Sequence, residues 1–217
     1  MNIRQYIFIF ILPFINFFNL KGTGTQVISV VISPSSYVII NGNTNVSSFD
    51  CNYSTYFTGP VIVKFIKSEN RIKMENAQLS IPVEYIDCHN PLMNNDLKKL
   101  LNAGVTPDII ISISDFYEKK IIPDKPNSYT VGIGSANINV TIAGVTNKYD
   151  VEFIDRRKDN EIIISGSLYL NLYNFGLTPS KILFGTIRLQ EKIKIDILLK
   201  LLINMTLQTG QADLSTH

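Results

Sequence analysis

The stretch Ala77-Gln78-Leu79-Ser80-Ile81-Pro82-Val83-Glu84-Tyr85 decides the fold class. Ala77, Leu79, Ile81, Val83 and Tyr85 fall on one face of an extended chain, and Gln78, Ser80, Pro82 and Glu84 fall on the other. Successive side chains of a strand point to opposite faces, so a period of two marks a strand with one dry face and one wet face. Pro82 has no N–H for a ladder, which places the strand at a sheet edge or a bulge near that point.

The same rhythm recurs on both sides of this stretch. It appears at 46–53 and 61–66, then at 109–114, 129–133, 138–142 and 149–154, and last at 161–172 and 186–199. In the last of these, Lys192, Lys194 and Asp196 alternate with Ile193, Ile195 and Ile197. Turn chemistry separates the runs: Asn41-Gly42 and Ala143-Gly144-Val145 read as hairpin punctuation, Lys158-Asp159-Asn160 as a further turn, and Pro123 with Pro126 as a longer loop. One segment departs from the pattern. Met93, Leu97, Leu100 and Leu101 have the spacing of a helical stripe, with Asn94 or Asn95 as the cap and Gly104 and Pro107 beyond the end. Eight or nine strands with one short helix give an all-β domain, a barrel or a sandwich. Closure into a barrel removes exposed strand edges, an advantage in a chain this rich in Ile and Val.

Composition narrows the function. The chain has 217 residues, 45% of them hydrophobic, which is ample for one core, and no repeat or low-complexity linker divides it. Charged residues make up 18% and the net charge is +2, so no strongly charged partner is implied. The tightest basic cluster, Arg156-Arg157-Lys158 between Asp155 and Asp159, reads as a solvated turn. A nucleic-acid surface needs a wider basic patch, and no such partner is expected.

The N-terminus carries Arg4, then an apolar run from Tyr6 to Phe18 broken by Pro13 and Asn16, then Gly22-Thr23-Gly24-Thr25. This is the three-part layout of a secretory leader, and the run is shorter than the roughly 20 residues of a spanning helix. The expected organisation is a leader at 1–24, one domain at 25–203 and a disordered tail at 204–217, in a periplasmic or secreted protein with no integral membrane span. In an oxidising compartment Cys51 and Cys88 permit a disulfide; two buried thiols are the alternative. Two cysteines and two histidines, one of them the terminal His217, make no metal site.

Enzyme signatures are absent from the sequence. It has no Gly-x-Ser-x-Gly elbow and no phosphate loop, and Gly132-Ile133-Gly134 lacks the spacing of a nucleotide motif. Cys88 and His89 are neighbours whose side chains point apart in extended backbone.

The order and spacing of several segments resemble the YceI-like family. Ile138 to Thr146 (Ile-Asn-Val-Thr-Ile-Ala-Gly-Val-Thr) is similar to its hairpin, and Leu170-Asn171-Leu172-Tyr173-Asn174-Phe175-Gly176-Leu177 to its strand running into a Phe-Gly turn. Glu191 to Ile195 resembles the closing strand, and Leu79 to Val83 followed by Met93 to Leu97 resembles the strand and short helix. Gly42 to Cys51, with Asp87-Cys88, resembles a cysteine-containing branch. The family pattern often has an Arg before the helix Asp and a His after it. Asn95 and Lys98 stand there in this chain, so no contact to a ligand headgroup carries over.

The resemblance implies an extended antiparallel, lipocalin-like barrel of about eight strands. It also implies a dry interior that binds an isoprenoid- or quinone-type lipid, and no catalytic residues. The interior candidates are Phe65, Ile81, Val83, Ile111, Ile113, Val140, Ile142, Phe153, Leu170 and Ile195, with Met93 and Leu97 on the helix. The expected role is binding, transport or sequestration of a long apolar lipid, isoprenoid or fatty acid, with no cofactor beyond that lipid. The alternatives are a filled barrel acting as a surface interaction module and a barrel enzyme. Whether the interior is hollow or filled stays open at the level of sequence, because any barrel needs apolar side chains inside.

Overall fold

The computed structural model describes residues 25–54, 59–122, 128–178, 181–182 and 187–204. The strands are β1 (Thr25–Ile32), β2 (Tyr37–Asn43), β3 (Ser48–Tyr53), β4 (Pro60–Ser68), β5 (Arg71–Glu75), β6 (Gln78–Pro82), β7 (Asp108–Ile122), β8 (Thr130–Ile142), β9 (Val145–Lys158), β10 (Glu161–Asn171), β11 (Lys181–Ile182), β12 (Ile187–Arg188) and β13 (Lys192–Asn204); the helix α1 is Pro91–Leu100. The expected leader at 1–24, the Pro123–Pro126 loop and residues 205–217 of the expected tail lie outside the described residues. Asn204, expected in the tail, is the last residue of β13.

All pairings are antiparallel, and they close a ring. β1 and β2 lie end to end along one side of β13, with Ile32 opposite Leu201 and Tyr37 opposite Leu198. The bend between them is held by Ser36, buried at 1% exposure, whose hydroxyl accepts from the Lys200 N–H at 2.9 Å. β5 and β6 lie end to end along β7 in the same way, kinked at Asn76 with φ 63°. β4 pairs β1, and β3 pairs β2. The ring therefore has eight staves, three of them double: β1/β2, β3/β4, β5/β6, β7, β8, β9, β10 and β13. This is the expected lipocalin-like barrel.

The ends of the barrel differ. The upper end holds Thr25, Asn204, the β4–β5 turn and the β9–β10 turn. The lower end holds the β8–β9 turn and α1. In the β8–β9 turn, Ala143 (φ 50°) and Gly144 (φ 81°) form the left-handed pair of a two-residue hairpin, with Ile142 opposite Val145. α1 starts on Asn90, whose side chain accepts from the N–H groups of Leu92 and Met93, with Pro91 in the first turn.

Several expectations are corrected. The helix cap is Asn90, not Asn94 or Asn95, and it stands three residues ahead of Met93, where the apolar stripe begins. The runs expected at 129–133 and 138–142 are one strand, β8, which begins at Thr130. The strand at 77–85 ends at Pro82, and Val83–Tyr85 is a 3-10 turn, since the missing proline N–H ends the ladder there. Asn41-Gly42 is no turn. Gly42 sits in β2 against the Phe49 ring, which a Cβ would meet at 2.3 Å.

The lower half is solidly packed. Val38, Ile81, Val83, Val140, Ile142, Leu170, Phe175 and Ile195 are each at most 2% exposed, and α1 lays Met93, Leu97 and Leu100 against this cluster. Cys51 and Cys88 form a disulfide inside it. Beside it, Asn52 and Asp87 exchange backbone hydrogen bonds at 2.7 and 2.9 Å. The covalent and hydrogen-bonded links together tie β3 to the chain leaving β6, where the lower ring would otherwise gape.

Candidate functional site: a half-hollow barrel

The upper half is hollow. A cavity of ≈ 290 Å³ lies inside the ring, walled by alternate residues of the staves. β1 gives Ile28 and Val30, β4 Val63 and Phe65, β5 Ile72 and Met74, β7 Ile111 and Phe116, β10 Ile162 and Ile164, and β13 Leu199 and Leu201. The strands alternate because the pleat does, and the inward set is apolar, aliphatic with a few aromatic rings. Inward side chains become small on one wall. On β8, Gly132, Gly134 and Ala136 occupy the inward positions. A Cβ at Gly134 would meet the Tyr117 carbonyl oxygen at 2.3 Å and the Phe153 ring at 2.5 Å. The glycine thus lets Phe153 swing inward to Phe116, ring centroids 4.0 Å apart.

One arc of the mouth is polar. Asp155 is 1% exposed, and the Arg157 guanidinium bridges it to Glu118, donating from Nε and Nη2 to Asp155 and lying 2.7 Å from Glu118 Oε1 through Nη2. Burial works against the Arg157 charge, and the two carboxylates outweigh it, so its pKa stands above the ordinary arginine value. Gly132 makes the room: a Cβ there would fall 2.3 Å from Asp155 Oδ1. Asp155, Arg157 and Lys67 all border the cavity. The arrangement is an apolar well with a charged group of residues at one end, the layout by which a binding cavity fixes the orientation of an amphipathic ligand.

The sequence candidates divide between the two halves. Phe65, Ile111, Ile113 and Phe153 border the cavity. Ile81, Val83, Val140, Ile142, Leu170 and Ile195 lie in the packed lower core, and Met93 and Leu97 pack on it from α1. Sequence reasoning missed Asp155, Arg157 and Glu118. The reading of Asp155 to Asp159 as a solvated turn is corrected: only Asp159 and Asn160 form the turn, and Arg157 is 11% exposed at its side chain. The signal was present in the alternation, since Phe153, Asp155 and Arg157 share a face.

A second, shallow concavity lies outside the barrel, bordered by Tyr37, Asn52, Tyr85, Asp87 and His89. There Asn52 Nδ2 is 2.7 Å from His89 Nε2. Cys88 is tied up in the disulfide, so it offers His89 no thiol. Among the described residues no group of three or more His, Cys, Asp or Glu is placed to hold a metal. No helix among them is long and apolar enough to cross a membrane.

An antiparallel barrel of eight staves, hollow in one half and capped by a helix at the other, is the class of protein this geometry defines. The profile of the YceI-like domain matches residues 37–201, and the chain belongs to the YceI-like family. Among solved structures, the chain is similar to a polyisoprenoid binding domain from Saccharophagus degradans implicated in plant cell wall breakdown, with 9% identity over 84% of this chain and 100% of that one and a TM-score of 0.57. It is also similar to BcnA of Burkholderia cenocepacia, at 14% identity, 81% and 95% coverage and a TM-score of 0.47. A YceI protein of Campylobacter jejuni is a further relative in structure, at 14% identity, 95% and 100% coverage and a TM-score of 0.40. No curated protein sequence matches the chain.

Proposed function

We propose that the protein binds the apolar chain of a lipid inside the upper half of its barrel, carrying or sequestering it without chemical change. The observation that carries this reading is the ≈ 290 Å³ cavity with apolar walls and a charged arc at one end only. An apolar void of this size is unfavourable unless something fills it, because the lining side chains lack contact partners. Each methylene buried there contributes about 0.8 kcal/mol, so roughly ten of them give about 8 kcal/mol before the cost of association. The Saccharophagus degradans domain is a polyisoprenoid binder, which makes an isoprenoid or quinone-type lipid the first ligand to try. The arc of Lys67, Glu118, Asp155 and Arg157 would then meet the polar head.

The leader-like N-terminus and the disulfide favour an exported protein, periplasmic or secreted. The deciding measurement is mass spectrometry of an organic extract from protein purified without detergent, followed by titration of the emptied protein with a short-chain ubiquinone. A stoichiometric lipid in the extract, or saturable binding in the titration, is expected. An empty extract together with no binding would overturn the reading in favour of a surface interaction module.

A further inference from the structure

We infer that the packed layer across the middle of the barrel is a floor that limits the ligand to a chain of medium length. This rests on the lipid-binding reading and adds the size of the ligand to it. Val38, Ile81, Ile109, Val140, Leu170 and Ile195 form the layer, one inward residue from each of six strands, and none is more than 3% exposed. One inward position nearer the mouth on the same staves, Leu79, Ile111, Ile138, Leu168 and Ile197 all border the cavity. The change from lined to filled therefore occurs at the same level around most of the ring. A rigid, close-packed layer of this kind does not part for a longer tail without losing its own contacts.

Two measures of the well agree on its capacity. On β13 the lining runs from Ile197 to Ile203. Six residues of strand span about 20 Å, or about 15 Å along the axis of a barrel whose strands tilt by roughly 40°. An extended chain advances about 1.2 Å per bond, by the same geometry that gives about 3.5 Å per three-bond residue. The depth thus holds about twelve carbons. An apolar cavity of about 150 Å³ takes the six carbons of benzene, so ≈ 290 Å³ holds about twelve. The ligand class is an amphipathic lipid whose chain is about twelve carbons long, a medium acyl chain or two to three isoprene units. A longer polyisoprenoid would leave most of its length outside the mouth.

The test is a series of straight-chain 1-alkanols from eight to twenty carbons, displacing 1-aminoanthracene from the purified protein. Affinity should rise about fourfold per added methylene up to about twelve carbons and then stay level. Leu170→Ala should move that break to longer chains by at least two carbons. Leu168→Phe, which builds into empty space and not into the packed layer, should move it to shorter chains and guards against a Leu170→Ala protein that fails to fold. Affinity that keeps rising to twenty carbons, or a break that neither variant moves, would overturn the floor while leaving lipid binding intact. If no alkanol displaces the probe and no quinone binds, the lipid-binding reading falls and the floor with it.

Discussion

Single residues set the shape of the cavity mouth. Asp155 is held inside an apolar wall only because Arg157 spans it and Glu118, and because Gly132 leaves the space beside it. Arg157→Leu would leave two carboxylates without their guanidinium. It should cost about 3–5 kcal/mol in urea unfolding, whereas replacing Glu118, Asp155 and Arg157 together with aliphatic residues should cost far less. Gly132→Ala should cost roughly 1–3 kcal/mol in the same assay, because the new methyl collides with the Asp155 carboxylate. Equal losses for the single Arg157 variant and the triple variant would contradict this account of the arc. None of this arc was recognised in the sequence: charged residues close to a turn look solvated, and their face depends on the strand reaching three residues further than its apolar part.

Elements depend on signals that lie at their edges. α1 owes its start to Asn90 and Pro91, which precede the apolar stripe, so the stripe revealed the helix but not its first residue. Asn90→Ala should lower stability by about 1 kcal/mol in chemical denaturation. β1, β2 and β5 escaped notice, each being half of a bent stave; β2 runs Val38-Ile39-Ile40 without alternation, and β5, though Arg71-Ile72-Lys73-Met74-Glu75 alternates cleanly, is only five residues long.

Three carboxylates held by ion pairs and hydrogen bonds give a pH dependence. The Glu161 carboxyl lies below the usual glutamate range because Lys200 and Tyr129 donate to it, and the Asp87 carboxyl is lowered by Asn94 and by the His89 N–H. Burial pushes Asp196 the other way, but Lys194 and Ser167 outweigh it and its pKa is also lowered. Groups whose pKa is lower in the folded state add stability above the ordinary carboxylate range, about pH 4, and lose it as the pH falls through their folded values. Melting temperature should therefore hold from pH 7 to about 5 and drop below about 4. Asp196→Asn should make that drop shallower; an identical acid profile in the variant would show that Asp196 plays no part in it.

At the scale of the molecule, the barrel is closed differently at its two ends. The upper ring is complete in backbone hydrogen bonds, from β1 and β4 through β13. The lower ring depends on the Asn52–Asp87 bridge and on the Cys51–Cys88 disulfide, whose cysteines are 37 apart in sequence. Reduction should cost about 4 kcal/mol, seen as a lower urea midpoint with dithiothreitol than without. The intact protein should take up no alkylating agent without reductant.

The sequence by itself determined the class of fold, because a period of two over many short runs has one physical meaning, and it determined the family through the order of its segments. It marked the dry face of the strands alike in both halves, since alternation reports which face is dry and nothing about what fills it. Only the tertiary structure decided which of those residues pack against one another and which border a void. That outcome depends on how side chains of different strands meet: Asp155 and Phe153 of β9 occupy the space beside Gly132 and Gly134, and the cavity separates them from the inward residues of β1 and β4. It is a property of eight staves brought together, and no single strand records it.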